Sequence, residues 1–195
     1  QTFWFFSAQH LSQSIMAATI SAVRSHVTMN KNIPKTIDAT TKKKLFLAKN
    51  GYIGANKLCE TLQGSIWLAK EESTDQRVAI KIALRELVNK STARRNGKEI
   101  KISEDIKSEA LLLKFVSQDP NCPNSIAKFL NFFKSRSSYY LVMEDGGNSL
   151  FQFICSAHKL LKSGHLNVHE WHKLVKIIFK QMVECIEYLH SLNIC

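Results

Sequence analysis

The chain has 195 residues, 45% hydrophobic and 22% charged, and its 27 Lys and Arg against 16 Asp and Glu give a net charge of +11. This is ordinary globular composition with enough apolar material for one core, so one domain is expected. No apolar run approaches the ~20 residues that span a bilayer, and the five cysteines, an odd number with no Cys-x-x-Cys pair, fit neither a metal site nor a disulfide framework, which points to reduced thiols in the cytosol or nucleus.

Residues 1–50 carry seven of the basic residues (Arg24, Lys31, Lys35, Lys42, Lys43, Lys44, Lys49) against one acid, Asp38. Such an arm can attract nucleic acid or anionic lipid through counterion release. Lys42 to Lys44 has no interleaved aromatics, so a solvated, unstructured leader is preferred over a nucleic-acid-binding arm. The stretch from Phe3 to Ser25 lacks the repeated arginines of a transit peptide.

Strand patterning begins at Lys57. Lys57 to Leu62 and Ser65 to Lys70 read as a hairpin joined at Gln63-Gly64, with Ile66, Trp67 and Leu68 supplying β-branched, aromatic and aliphatic side chains. A third strand, Arg77 to Ile82, follows the turn-like Ser73-Thr74-Asp75. Leu84 to Ile102 is a polar, basic insertion. A helix is then predicted from an N-cap at Ser103, with Glu104 and Asp105 favoring the positive end of its dipole. Its inward stripe runs Ile106, Glu109 or Ala110, Leu113 and Val116, which places an acid, Glu109, on a face that should be apolar.

Pro120 and Pro123 break that helix. Ala127 to Lys134 and Ser138 to Glu144 are two more strands, and Asp145-Gly146-Gly147-Asn148 is a flexible joint. A short helix from Ser149 to about Lys162 and a turn at Ser163-Gly164 come next. The last helix repeats apolar residues at Val168, Trp171, Val175, Ile178, Met182, Ile186 and Leu189, three or four apart, a pattern that predicts core packing. His165, His169 and His172 near its start lack the Cys or acid that would complete a tetrahedral metal set.

Val78-Ala79-Ile80-Lys81 on a third strand, an inward acid on the following helix, and Leu141-Val142-Met143-Glu144-Asp145-Gly146-Gly147 after a fifth strand together resemble the eukaryotic-type protein kinase domain. The order of these features carries the resemblance, which runs from about Lys57 to Cys195. It implies an α+β fold: a five-stranded antiparallel small-lobe sheet with one helix (57–145), then a hinge and the first helices of a helical large lobe (146–195), with 51–195 as a partial kinase domain behind the leader.

In function it implies ATP binding, with phosphoryl transfer to protein Ser or Thr in a full-length parent. Lys81 would contact the phosphates and Glu109 would hold it. Ile66 and Ala79 would sandwich the adenine, Met143 would guard the rear of the pocket, and backbone groups of Glu144 and Gly146 would meet the adenine edge. The phosphate loop would span Leu58, Cys59, Glu60, Thr61, Leu62, Gln63, Gly64 and Ser65, and here the sequence departs from the pattern. The family's Gly-x-Gly-x-x-Gly falls on Cys59 to Gly64, so only the third glycine is kept, and Cys59 and Thr61 bring Cβ atoms where the backbone approaches phosphate. Beside a phosphate pocket lined by Lys81, a Cys59 thiolate would be favored, so sensitivity to oxidation or alkylation is expected there.

The family's His-x-Asp would follow Cys195. The catalytic loop, its asparagine and the Asp-Phe-Gly metal ligand are not among these residues, so no catalytic residue is assigned and Mg²⁺ is expected only for the full-length parent. The 195 residues alone are expected to be inactive. The alternative is a pseudokinase-like or truncated module that holds nucleotide or a partner without catalysis. By the same resemblance, Trp171, Phe179 and Met182 of the last helix would pack against the rest of a large lobe or a partner, and without such a cover they would face water.

Overall fold

The computed structural model describes residues 38–95 and 97–194. The part of the basic leader before Asp38 lies outside the described residues. The part after it does not match the expectation of an unstructured linker. Ala39–Lys49 is a helix, α1, because Asp38 caps it, accepting from the Thr41 backbone N–H at 2.8 Å and from the Thr41 hydroxyl at 2.9 Å. Gly51, at φ +82°, lets the chain leave the helix in the left-handed region. Leu47 is fully buried, and the Phe46 ring sits 5.0 Å from that of Tyr140. Lys42 and Lys44 stay exposed.

Five strands form one antiparallel sheet in the order β1 (Tyr52–Glu60), β2 (Gly64–Glu71), β3 (Arg77–Leu84), β7 (Ser138–Glu144), β6 (Phe129–Lys134). The first strand starts five residues earlier than the sequence pattern suggests, and it tolerates a bulge between Ile53 and Asn56 because Gly54 takes φ +65°. The insertion after β3 is structured too. It forms a short helix, α2 (Arg85–Lys90), and a two-stranded hairpin, β4 (Thr92–Arg95) with β5 (Lys98–Lys101). Leu87, Val88 and Ala93 anchor it in the interior.

The sheet is covered on both faces. Helix α3 (Ile106–Gln118) lays Ile106, Ala110, Leu113 and Val116 on the face that carries Ala79, Ala83, Leu141 and Met143. Its N-cap is Asp105, whose carboxylate accepts from the Lys107 N–H at 3.0 Å, and not Ser103: the helix starts two residues later because Asp105 has the extended backbone a cap requires. The opposite face, with Trp67, Val78, Ile80, Ile82, Tyr140 and Val142, is closed by Leu47 and Phe46 of α1 and by Phe133. Stacked rings of Tyr52, Phe133 and Tyr140 run across it, and Asn131 donates to the Tyr52 hydroxyl at 3.1 Å. Burial on both sides is why β3 and β7 are apolar at consecutive positions rather than alternate ones.

Two helices follow the sheet, α4 (Leu150–Lys162) and α5 (Val168–Ser191), each opened by a reciprocal capping box, Ser149 with Gln152 and Asn167 with Glu170. Of the stripe of α5 predicted as core, Trp171, Ile178, Met182 and Leu189 are half-buried and none is fully buried. Cys185 is enclosed and Tyr188 and Leu189 pack on the α3 cluster, whereas Val168, Val175 and Ile186 remain exposed. The N-terminal half of α5 packs on α4 through Trp171 against Phe153 and His158. Among the described residues no helix is long and apolar enough to cross a membrane.

Candidate functional site

Lys81 lies in the middle of β3, opposite Ile66 of β2 and Leu141 of β7. Directly opposed residues share a face of an antiparallel sheet, so Lys81, Ile66, Ala79 and Met143 stand on the α3 side. Glu109, in the first turn of α3, reaches down to this face. The Lys81 Nζ donates to Glu109 Oε2 at 2.6 Å, with the two side chains 18% and 26% exposed. That is buried enough that either charge alone would be costly, yet open enough for the ammonium to retain a second donor direction. Residues 28 positions apart meet because β3 and α3 are packed through Ala79, Ala83, Ala110 and Leu113.

Met143 is 4% exposed and pairs across the ladder with Ala79, while Phe129 of β6 flanks it on the other side. Ile66 is buried beside this pair, and Leu58 on β1 is half exposed. Ile66, Ala79 and Met143 form an apolar floor next to Lys81 and its acid. Leu113 and Phe129 fill the space between helix and sheet behind it.

The β1–β2 turn is closed by a mutual pair of backbone bonds, Thr61 N–H to Gly64 O at 3.0 Å and Gly64 N–H to Thr61 O at 3.4 Å. Gly64 is required here by contact. A Cβ placed on it would overlap the Ile82 carbonyl oxygen and lie 2.9 Å from the Ile82 carbonyl carbon. The one glycine kept from the phosphate-loop pattern therefore serves the approach of β2 to β3. Cys59 is exposed, and Glu60 is ion-paired with Lys57.

Two of the sequence-predicted loop residues turn away from Lys81. Ser65 is 1% exposed, and its hydroxyl accepts from the Trp67 indole N–H at 2.9 Å on the opposite face of the sheet. The Gln63 side chain is buried against the β4–β5 hairpin, donating to the Thr92 carbonyl at 3.0 Å.

The joint after β7 is less free than its glycines suggest. The Glu144 side chain accepts from the Lys128 N–H at 3.0 Å while the Glu144 N–H donates to the Lys128 carbonyl at 3.0 Å. Asp145 is buried, accepts from the Gly147 N–H at 3.0 Å and is ion-paired with Arg77 at 2.7 Å. Gly146 is buried beside it, and Gly147 takes φ +75°. The Arg77–Asp145 pair escaped the sequence reading. Its signal was an acid immediately following an apolar strand, with a basic residue at the start of that strand's neighbor.

A second hydrogen bond ties the helical end of the molecule to the loop after α3: the Tyr188 hydroxyl donates to Asp119 Oδ2 at 2.8 Å. The Asp119 carboxyl is held below its ordinary range, first by the Asn121 backbone N–H and then by Tyr188. Burial, and then the Asp119 charge, push the Tyr188 hydroxyl well up. Nearby, Ser125 and the buried Cys185 share a hydrogen bond at 2.9 Å, and burial raises the Cys185 thiol. Among the described residues no three His, Cys, Asp or Glu side chains come together as a metal site.

No protein-family model matches the chain. The chain is similar to the carbon catabolite-derepressing protein kinase of Saccharomyces cerevisiae, with 26% identity over 148 residues, which are 74% of this chain and 20% of the kinase. It thus spans about a fifth of the length of that relative, a distant likeness that agrees with the α+β architecture and its five-stranded antiparallel sheet.

Proposed function

We propose that this chain is the nucleotide-holding part of a protein kinase, with ATP as its ligand and phosphoryl transfer to protein Ser or Thr as the activity of a longer parent. The observation that carries the reading is the Lys81–Glu109 pair at 2.6 Å on the one sheet face that also presents Ile66, Ala79 and Met143. A cation oriented by an acid, beside an apolar floor, suits a ligand with a flat apolar base and a polyanionic tail. In this reading Lys81 binds phosphate oxygens and Glu109 keeps its ammonium pointed at them. Leu58 and Ile66 cover the base from above, Ala79 and Met143 set the depth of the pocket, and the backbone of Glu144 and Gly146 offers the hydrogen bonds that would select adenine. Mg²⁺, held by residues of the parent, would supply charge neutralization at the transferred phosphate.

The turn from Cys59 to Gly64 favors a second reading, a module that holds nucleotide or a partner without catalysis. Thr61 is hydrogen-bonded into the turn, and Cys59 and Thr61 carry side chains where a phosphate loop is stripped to glycine.

Titration of the full chain with ATP by calorimetry tests the site. Binding should be seen, and Lys81→Met and Glu109→Gln should each weaken it by about ten- to a hundredfold, the worth of a charge-assisted hydrogen bond. Binding that survives Lys81→Met unchanged would place the nucleotide elsewhere. A wild-type chain that binds no ATP would favor the partner-binding module.

A further inference from the structure

The hairpin after α2 has no part in the nucleotide reading, yet it touches the turn on which that reading depends. The β1–β2 turn is held from outside at three points. The Gln63 carbonyl accepts from the Leu84 N–H at 2.9 Å, the Leu62 carbonyl accepts from the Arg94 N–H at 3.4 Å, and the buried Gln63 amide donates to the Thr92 carbonyl at 3.0 Å. Two of these come from β4.

That strand is itself fixed. Ala93 is fully buried, the Ile102 N–H closes the base of the hairpin on the Ser91 carbonyl at 3.0 Å, and α2 is bound to the β6–β7 turn through the Arg85 N–H to Ser137 O at 2.9 Å. The hydroxyl oxygens of Thr61 and Thr92, one on each side of the junction, are buried without a hydrogen-bond partner among the described residues. Each such group carries a desolvation cost, which the other contacts of the junction must offset.

From this junction we infer that the β4–β5 hairpin is a brace that fixes the β1–β2 turn in one position over Lys81, with Gln63 as the positioning residue through which it acts. The inference rests on the nucleotide reading of that turn only for its consequence, which is that ligand affinity is set by the brace rather than by glycine flexibility. A turn with Cys59 and Thr61 in place of freely rotating glycines cannot adapt to a phosphate by changing φ. It can serve only if it is already in place, and the brace supplies that pre-organization. Arg94, Lys98 and Lys101 lie on the exposed side of the brace, Arg94 ion-paired with Glu86 of α2 at 4.0 Å.

Amide hydrogen exchange on the full chain, in wild type and in Gln63→Ala and the volume-conserving Gln63→Met, tests the brace directly. Exchange at Leu62 to Gly64 and at Arg94 should rise about three- to tenfold in both variants, the loss expected for one hydrogen bond, while exchange in β3 and β7 stays put. Affinity for Mg·ATP should fall by a similar factor. Unchanged exchange at the turn in both variants would overturn the brace. A loosened turn with undiminished ATP affinity would overturn the positioning role. A wild-type chain that binds no ATP but shows the exchange changes would remove the nucleotide reading and leave the brace standing.

Discussion

Strands β3 and β7 and helix α5 are built from similar apolar material and meet opposite fates. Every residue of β7 but Glu144 is buried, and β3 is buried at Val78, Ala79, Ile80, Ile82 and Ala83. Along the 24 residues of α5, only Cys185 is, and Phe179 and Val168 are 65% and 62% exposed. An apolar pattern tells which face of an element wants cover; whether cover exists depends on what else the chain supplies. The sheet receives α3 on one face and α1 on the other. Among the described residues, the N-terminal half of α5 receives α4 alone as a packed helix.

The sharpest way to break this comparison is to remove the cover. Trp67→Ala, which empties the center of the face under α1, is expected to cost about 3–5 kcal/mol in chemical denaturation, and Leu47→Ala about 2–5 kcal/mol. The second value is the informative one. If Leu47→Ala changes stability no more than an ordinary surface substitution does, α1 is not a structural cover and the two-faced sheet is misassigned.

Gly64→Ala asks whether the retained glycine serves the sheet. With the Ile82 carbonyl in the way, it should lose about 1–3 kcal/mol through overpacking. Gly147→Ala, where nothing lies within 4 Å but φ is +75°, should lose only about 1 kcal/mol through backbone strain. Equal losses at the two sites would mean that close approach is not what holds Gly64 in place.

How much of this could be read in advance follows the same division. The β2–β3 hairpin, β7 and α3 announce themselves through local period and turn residues, and the inward acid at Glu109 was visible as an exception to the stripe. Helix α1 was hidden because Lys42 to Lys44 dominates its composition, although Leu45-Phe46-Leu47 and the double-sided apolar character of β3 and β7 demanded a second cover. The inner turn of Gln63 toward Thr92 and the Ser65–Trp67 bond were not legible. They depend on a hairpin 29 residues away and on the parity of one strand, neither of which leaves a mark in local sequence. The exposure of α5 was unreadable for the opposite reason, since periodicity reports a face and is silent about its neighbor.

The end of α5 that does find cover offers a subtler test. Tyr188→Phe removes the hydroxyl from Asp119 and should lower the melting temperature by about 2–4 °C at neutral pH. The Asp119 carboxyl is depressed in the folded state, so its contribution is present above its unfolded value near ~4 and is lost as the pH falls through the folded one. The gap between wild type and variant should therefore close in acid. On the alkaline side the Tyr188 hydroxyl is raised on folding, so wild type should lose this contribution, in addition to any loss both proteins share through Tyr52, as the pH climbs above ~10. A gap that stays constant from acid to alkali would mean that the hydrogen bond contributes nothing.

The smallest effect on folding is expected where the apolar face has no cover. Phe179→Glu should leave stability within about 0.5 kcal/mol of wild type, as for other surface positions, because a side chain already facing water has little transfer free energy to lose. Its effect should appear instead in association. With Val175 and Val183 also exposed one turn to either side of it, Phe179 lies in an apolar strip that can drive contact between molecules, and light scattering or sedimentation should show the variant less associated than wild type. If Phe179→Glu instead unfolds the chain, Phe179 is packed in solution and α5 has a cover after all. That outcome would bring α5 into line with the sheet and identify the contact as part of the fold.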